Sequence, residues 1–221
     1  MSGSKKNISP QIENEHQARA MIYHFLSSLF AKEVSKEQIQ QLTSLQGQSF
    51  LDSLANEPEL QEHIESLRTK LALLNNETSI LELAADFCGL FLMETRTSVS
   101  PYAGQYLNGS YLKPTKKQTP LFGDMHQQML AFLTDDKVQL HQDFPEPADH
   151  IAVILAYISH LTKTASLDNQ LMFLNKYTIS WFINFNKQVT KNDQNGFYAI
   201  VANLSLAWIN LDLEFLKQEL Q

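Results

Sequence analysis

Apolar residues recur at steps of three and four along nearly the whole chain, and that spacing leaves little room for anything but helices. Ala18, Met21, Ile22, Phe25, Leu26, Leu29 and Phe30 form one stripe of an amphipathic helix. Ser35 with Gln38 reads as a capping box for a second helix carrying Ile39, Leu42 and Leu45. Phe50, Leu51 and Leu54 mark a short third element. Pro58 suits the first turn of a fourth helix, which bears Leu60, Ile64, Leu67, Leu71 and Leu74 and stops at Asn75-Asn76. Gly and Pro number only 7 each in 221 residues, which fits long helices and few tight turns. No strand-like alternation and no internal repeat is evident. The fold class expected is all-α, a bundle of about nine to ten helices.

Ser79 with Glu82 is expected to cap a fifth helix running to about Met93. Its residues from Ile80 to Leu92 are apolar around almost the full circumference, which predicts a place at the centre of the bundle. Asp86 falls inside this run and needs a partner or a wet face. From 94 to 119 the helical pattern stops, broken by Pro101, Gly104, Gly109 and Pro114. So long an irregular stretch in a compact domain is usually functional or disordered, and Tyr102, Tyr106 and Tyr111 argue against pure disorder. Helices resume from Pro120 to Leu133. After a second break, Pro147 is expected in the first turn of the next helix, with Asp149 facing the positive end of its dipole. Two further helices are expected over Asp168–Lys187 and Gly196–Lys217. The organisation expected is an N-terminal helical group, 1–134, a hinge, 135–146, and a C-terminal helical group, 147–221.

Composition excludes several function classes. Hydrophobic residues are 43% of the chain and charged residues 19%, enough for a sizeable core. A net charge of −7 argues against a nucleic-acid binder and permits a cationic partner. The single Cys88 rules out an intramolecular disulfide, and its apolar helix favours an inert core thiol. Lys5 and Lys6 are not followed by an apolar stretch, and the run Ile151–Ile158 is too short to span a bilayer. The expected address is the cytoplasm, with no membrane insertion. Only Glu13-x-x-His16 matches the pair a di-iron bundle needs twice. Zinc-protease, phosphate-loop, dinucleotide and nucleophile-elbow motifs are absent. No catalytic residue, metal or cofactor is assigned.

The most suggestive local feature is Phe144-Pro145-Glu146-Pro147-Ala148-Asp149-His150. One reading is a capped helix start, with Asp149 answering the dipole and His150 solvated. The other is a polar recognition corner in which an acid–imidazole pair holds a guanidinium or a hydroxyl. Tyr102 and Tyr106 either anchor the loop or meet a partner. Lys113, Lys116 and Lys117 read as a solvated loop surface.

Three blocks in order resemble a known family. Leu81-Glu82-Leu83-Ala84-Ala85-Asp86-Phe87-Cys88-Gly89-Leu90-Phe91-Leu92-Met93 is similar to the central helix of the TorD/DmsD/NarJ family of redox-enzyme maturation chaperones. Pro101-Tyr102 with Tyr106 resembles their Pro-aromatic-x-x-x-Tyr loop, and Glu146-Pro147-Ala148-Asp149-His150 matches their Glu-Pro-x-Asp-His signature. The likeness runs from about Glu15 to Phe215. It implies a cytoplasmic, all-helical chaperone that binds the twin-arginine signal peptide and the apo-form of a molybdoenzyme, trimethylamine N-oxide reductase before its dimethyl sulfoxide and nitrate reductase counterparts. It places Glu146, Pro147, Asp149 and His150 at a recognition corner, Pro101, Tyr102 and Tyr106 in a loop wall, and Asp86 in the central helix. Ala103-Gly104 stand where many members carry a serine. Weak guanine-nucleotide binding enters through the resemblance alone. The alternative from another class is a nucleotide hydrolase using Asp149 and His150, against which the missing phosphate loop weighs. A twin-arginine peptide has a cationic front and an apolar stretch, so its receptor needs carboxylates beside a hydrophobic groove. If 135–146 acts as a hinge, monomer and domain-swapped homodimer would bury nearly the same contacts.

Overall fold

The computed structural model of the protein describes residues 10–107, 122–140 and 144–221. Among them, helices follow one another with no strand: α1 Pro10–Ala31, α2 Lys36–Thr43, α3 Leu45–Ala55, α4 Pro58–Leu73, α5 Glu77–Phe87, the single turn α6 Gly104–Leu107, α7 Asp124–Asp135, α8 Ile151–Thr164, α9 Leu167–Phe173, α10 Ile179–Asn192 and α11 Phe197–Glu219. The all-α expectation holds. Ser35 and Gln38 form the expected capping box of α2, and Pro58 opens α4. Tyr111, Lys113, Lys116, Lys117 and Pro120 lie outside the described residues.

Helices from both sides of the 135–146 segment build one core. α1 packs along α8, and α4 packs on α11. The first pair is close because small polar residues line the seam: Ser27 Oγ donates to the Ala152 carbonyl at 2.8 Å and Ser159 Oγ to the Ala20 carbonyl at 2.7 Å. Those two bonds run in opposite chain directions, so α1 and α8 are antiparallel. Helix α11 is long and apolar enough to cross a membrane by length and composition. Here Val201, Leu204, Ile209 and Leu216 are buried against neighbouring helices.

Several expectations are corrected. The fifth helix is capped by Asn76 with Ser79, three residues before the expected Ser79–Glu82 box. It does not occupy the centre: Leu81, Leu92 and Met93 are exposed, and only the stripe Leu83, Phe87, Leu90 and Phe91 is buried. The central places go to α8 and α11. A π turn over Cys88–Leu92 ends the fifth helix, and Cys88 is half-buried there, its thiol donating to Glu33 Oε1 at 3.3 Å. Burial pushes that thiol up, and Glu33 adds to the shift. The helix expected over Asp168–Lys187 is broken by a π turn at Leu174–Thr178 and continues to Asn192. α7 begins at Asp124. On α1, Met21 from the expected stripe is 57% exposed, whereas Arg19 and Tyr23 are buried.

Those two residues join the chain's ends. Arg19 Nε donates to Asp212 Oδ1, and its terminal amino group donates to Asp212 Oδ2 at 3.2 Å and to Gln170 Oε1 at 2.8 Å. Tyr23 adds a bond to Asp212 Oδ2 at 2.7 Å, and the guanidinium lies 5.0 Å from the Phe215 ring centre. Burial and the Asp212 charge hold the Tyr23 phenol well above its ordinary range, so it remains a donor. α1, α9 and α11 are therefore tied at one point. Breaking a buried pair leaves an uncompensated charge and costs about 3–5 kcal/mol. Asp212→Ala should lower unfolding free energy in urea by that amount, and Arg19→Met with Asp212→Leu should recover most of it. A loss under about 1 kcal/mol in the single variant would show that the pair does not hold the ends together.

Candidate functional site

The conspicuous polar cluster forms where the segment before α6 meets the start of α8. Tyr102 and His150 make an isolated antiparallel bridge. The Ala103 amide donates to the Asp149 carbonyl at 3.0 Å, and the Ile151 amide to the Pro101 carbonyl at 2.8 Å. The Gly104 amide donates to Asp149 Oδ2 at 3.1 Å. Asp149 thus receives both amides at the start of α6, one through its main chain and one through its side chain. A Cβ on Gly104 would lie 3.0 Å from Asp149 Oδ2, so a side chain there would displace the carboxylate.

The segment 147–150 is a turn, closed by the His150 amide on the Pro147 carbonyl at 2.9 Å. Pro147 is therefore not in the first turn of α8, and Asp149 does not face that helix's dipole. Instead His150 is the N-cap, its Nδ1 accepting from the Ala152 amide at 3.1 Å. The reason is local: the turn folds Asp149 back onto α6 and leaves the imidazole as the nearest acceptor. His150 is not solvated, being 5% exposed. Burial pushes its pKa down to about 4, so the ring is neutral at pH 7. Tyr102 and Phe144 meet it edge-on with ring centres at 5.5 and 5.3 Å.

Tyr102 Oη donates to Glu146 Oε2 at 2.7 Å, and both residues are half-buried at the rim. Burial, then this bond, raises the Tyr102 phenol far above its ordinary value and keeps it a donor. Asp149 is 3% exposed, and burial raises its carboxyl pKa against the lowering effect of the Gly104 amide. Its Oδ1 has no hydrogen-bond donor among the described residues. The His126 Nδ1 lies 3.9 Å away but already accepts from the Ala148 amide at 2.9 Å, so that nitrogen carries no proton to give. The corner therefore holds one buried carboxylate oxygen without a partner.

Glu146, Pro147, Asp149, His150, Pro101 and Tyr102 are brought together as the sequence suggests. Tyr106 sits beneath them: its Oη donates to the Ser100 carbonyl at 2.6 Å, and its ring stacks on Trp181 at 6.3 Å. At 4% exposure it braces the loop from inside the core. Asp86 lies apart and accepts from Asn195 Nδ2 at the α10–α11 turn. His126 and Gly104 were not among the sequence candidates, and Phe144 stood in the singled-out segment without a role. His126 shares a buried face with Met125 and Met129, and that placement was its only signal. Asp149 and His150 each serve a main-chain amide rather than each other, so they form no catalytic dyad. Among the described residues no group of three His, Cys, Asp or Glu side chains can hold a metal.

Residues 53–187 match the family model described as nitrate reductase delta subunit. The chain is 52% identical to the protein named Chaperone protein TorD of Colwellia psychrerythraea, over 98% of this chain and 99% of that one. It is 47% identical to the protein of the same name from Shewanella piezotolerans, over 92% and 94%, and 37% identical to that of Aliivibrio salmonicida, over 92% and 97%.

The neutral His150 cap has a pH signature. Its folded pKa of about 4 lies below the ordinary 6.5, so between these values the unfolded chain binds a proton that the folded chain does not. Stability is full above pH 6.5 and falls as pH drops towards 4. Asn caps a helix well and does not titrate. From pH 6.5 to 4.5, the wild type should lose about 2–3 kcal/mol more than His150→Asn in urea unfolding. Parallel profiles would contradict a buried neutral cap.

Proposed function

The chain belongs to the nitrate reductase delta subunit family, as a relative of the TorD chaperones, and from that premise we propose how it engages a client. It is a chaperone and not an enzyme. The client is the apo-form of a molybdoenzyme, trimethylamine N-oxide reductase first, met in the cytoplasm before export. The contact is the twin-arginine signal peptide, and its arginines are read at the corner of Glu146 and Asp149.

One observation carries this reading: Asp149 Oδ1 is buried with no donor among the described residues. Leaving such an oxygen unpaired costs about 1–3 kcal/mol, and a guanidinium brings paired donors that remove the penalty. Glu146 at the rim, already oriented by Tyr102, offers a second carboxylate for the neighbouring arginine. His150, neutral, adds no repulsive charge. Asp149 has a raised pKa when empty, and a guanidinium favours its ionised form, so binding releases protons and tightens as pH rises through that raised value.

Calorimetry with the synthetic signal peptide of the client reductase tests this. Asp149→Asn retains an acceptor for the Gly104 amide but loses the charge, and should weaken binding at least about tenfold, the scale of a lost charged hydrogen bond. Replacing the peptide's arginines by glutamine should weaken it similarly. Equal affinity of wild type and Asp149→Asn would remove the corner from recognition. The signal peptides of dimethyl sulfoxide and nitrate reductases, in the same assay, separate the sibling clients.

The segment 135–146 gives the chain a second state. The α1–α8 and α4–α11 contacts both cross it. Two chains exchanging the parts on either side would remake the same contacts between protomers. Light scattering after concentration should reveal a dimer that dissociates slowly on dilution, and only monomer at every concentration and pH would exclude the exchange.

A further inference from the structure

A second open site lies on the other side of the molecule's chemistry from the corner. A groove of about 650 Å³ runs between α1, α2, α3 and the end of α8. That volume is within the range of about 300–1,000 Å³ typical of ligand clefts. Phe25, Leu29, Leu42 and Phe50 supply its apolar floor, with the Phe25 and Phe50 rings edge-to-face at 5.3 Å. Met21, 57% exposed, overhangs it from α1. The groove is deep because α3 starts hard against the end of α2. A Cβ on Gly47 would lie 2.2 Å from the Gln41 carbonyl oxygen, so only glycine permits this approach.

The rim has an unusual composition. Gln17, Gln41 and Gln46 border it, and their side-chain amides make no hydrogen bond with any described residue. His24 and Lys163 complete the polar border, and among the described residues no carboxylate lines the groove. The corner has the opposite character: among the described residues it offers the carboxylates of Glu146 and Asp149 beside the neutral imidazole of His150.

These features select an occupant. Free amides on both sides of an apolar floor satisfy the main-chain N–H and C=O groups of an extended segment, which has no internal bonds, whereas a helix offers none. A Lys on the rim with no acid opposes a basic segment. We infer that this groove is a second peptide subsite, which takes an uncharged apolar segment of the client in extended form. This rests on the peptide-chaperone reading above, and it assigns the apolar part of the signal peptide to a surface distinct from the one that takes its arginines.

Fluorescence anisotropy with two labelled synthetic peptides tests it: the apolar stretch of the client signal peptide without arginines, and the arginine-bearing front alone. Met21→Glu changes an exposed residue and places an acid over the floor. It should weaken the apolar peptide at least tenfold and leave the arginine peptide unchanged, with an unaltered urea midpoint. Gln41→Leu should weaken the apolar peptide about threefold. Asp149→Asn should do the reverse, weakening only the arginine peptide. No binding of the apolar peptide to wild type, or equal binding to Met21→Glu, would overturn the groove assignment whatever Asp149→Asn does. Failure of the corner reading registers separately, as an arginine peptide insensitive to Asp149→Asn.

Discussion

The Arg19–Asp212 pair is the point on which the architecture depends. It is 5% and 2% exposed at its two ends, and a charge taken that far from water is tolerable only when its partner and its remaining bonds are all supplied. Gln170, Tyr23 and the Phe215 ring supply them. The consequence is a single allowed register among α1, α9 and α11, since a shift of one residue strands a guanidinium in apolar surroundings. Once that register is set, α1 lies along α8, and α8 presents its N-terminus to α6. The corner thus inherits its geometry from a contact elsewhere in the core.

In the proposed reading, the corner and the groove divide recognition by charge. One surface offers carboxylates, one of them without a donor among the described residues, and the other offers amides over an apolar floor. A client segment with a cationic front and an apolar continuation meets complementary chemistry in both. The wrong orientation is penalised: arginines at the groove face Lys163, and apolar side chains at the corner leave Asp149 Oδ1 unpaired. In the proposed reading, the net charge of −7 acts at long range only, drawing a basic peptide towards the protein before either surface is reached.

Helices were legible because a buried stripe repeats every three to four residues within one segment. Ile64, Leu67 and Leu71 announce α4 without reference to anything else. Where burial depends on a distant partner, the spacing misleads. Met21 continues an apolar stripe yet faces a groove, and Leu81 and Leu92 lie on the exposed side of their helix. Arg19 and Asp212 gave no local signal, since their meaning exists only across the fold. The corner was legible as a motif, and its residues do come together, apart from Asp86. The roles within it were not legible: that Asp149 caps α6 rather than α8, and that His150 is the cap of α8, follow from the turn at 147–150, which periodicity cannot express.

The Gly104–Asp149 bond spans 45 residues of sequence. Closing such a loop costs about 3 kcal/mol of chain entropy, and fixing residues 100–107 adds on the order of 10 kcal/mol. The polar bonds of the corner, at about 1 kcal/mol each, fall well short of that. The difference is supplied by burial of Pro101, Ala103 and above all Tyr106 against Trp181 and Phe185. Tyr106 therefore acts as a plug whose seating sets how often the corner opens. Local opening of the 101–107 segment is thus governed by an aromatic contact inside the core rather than by the polar bonds at its surface.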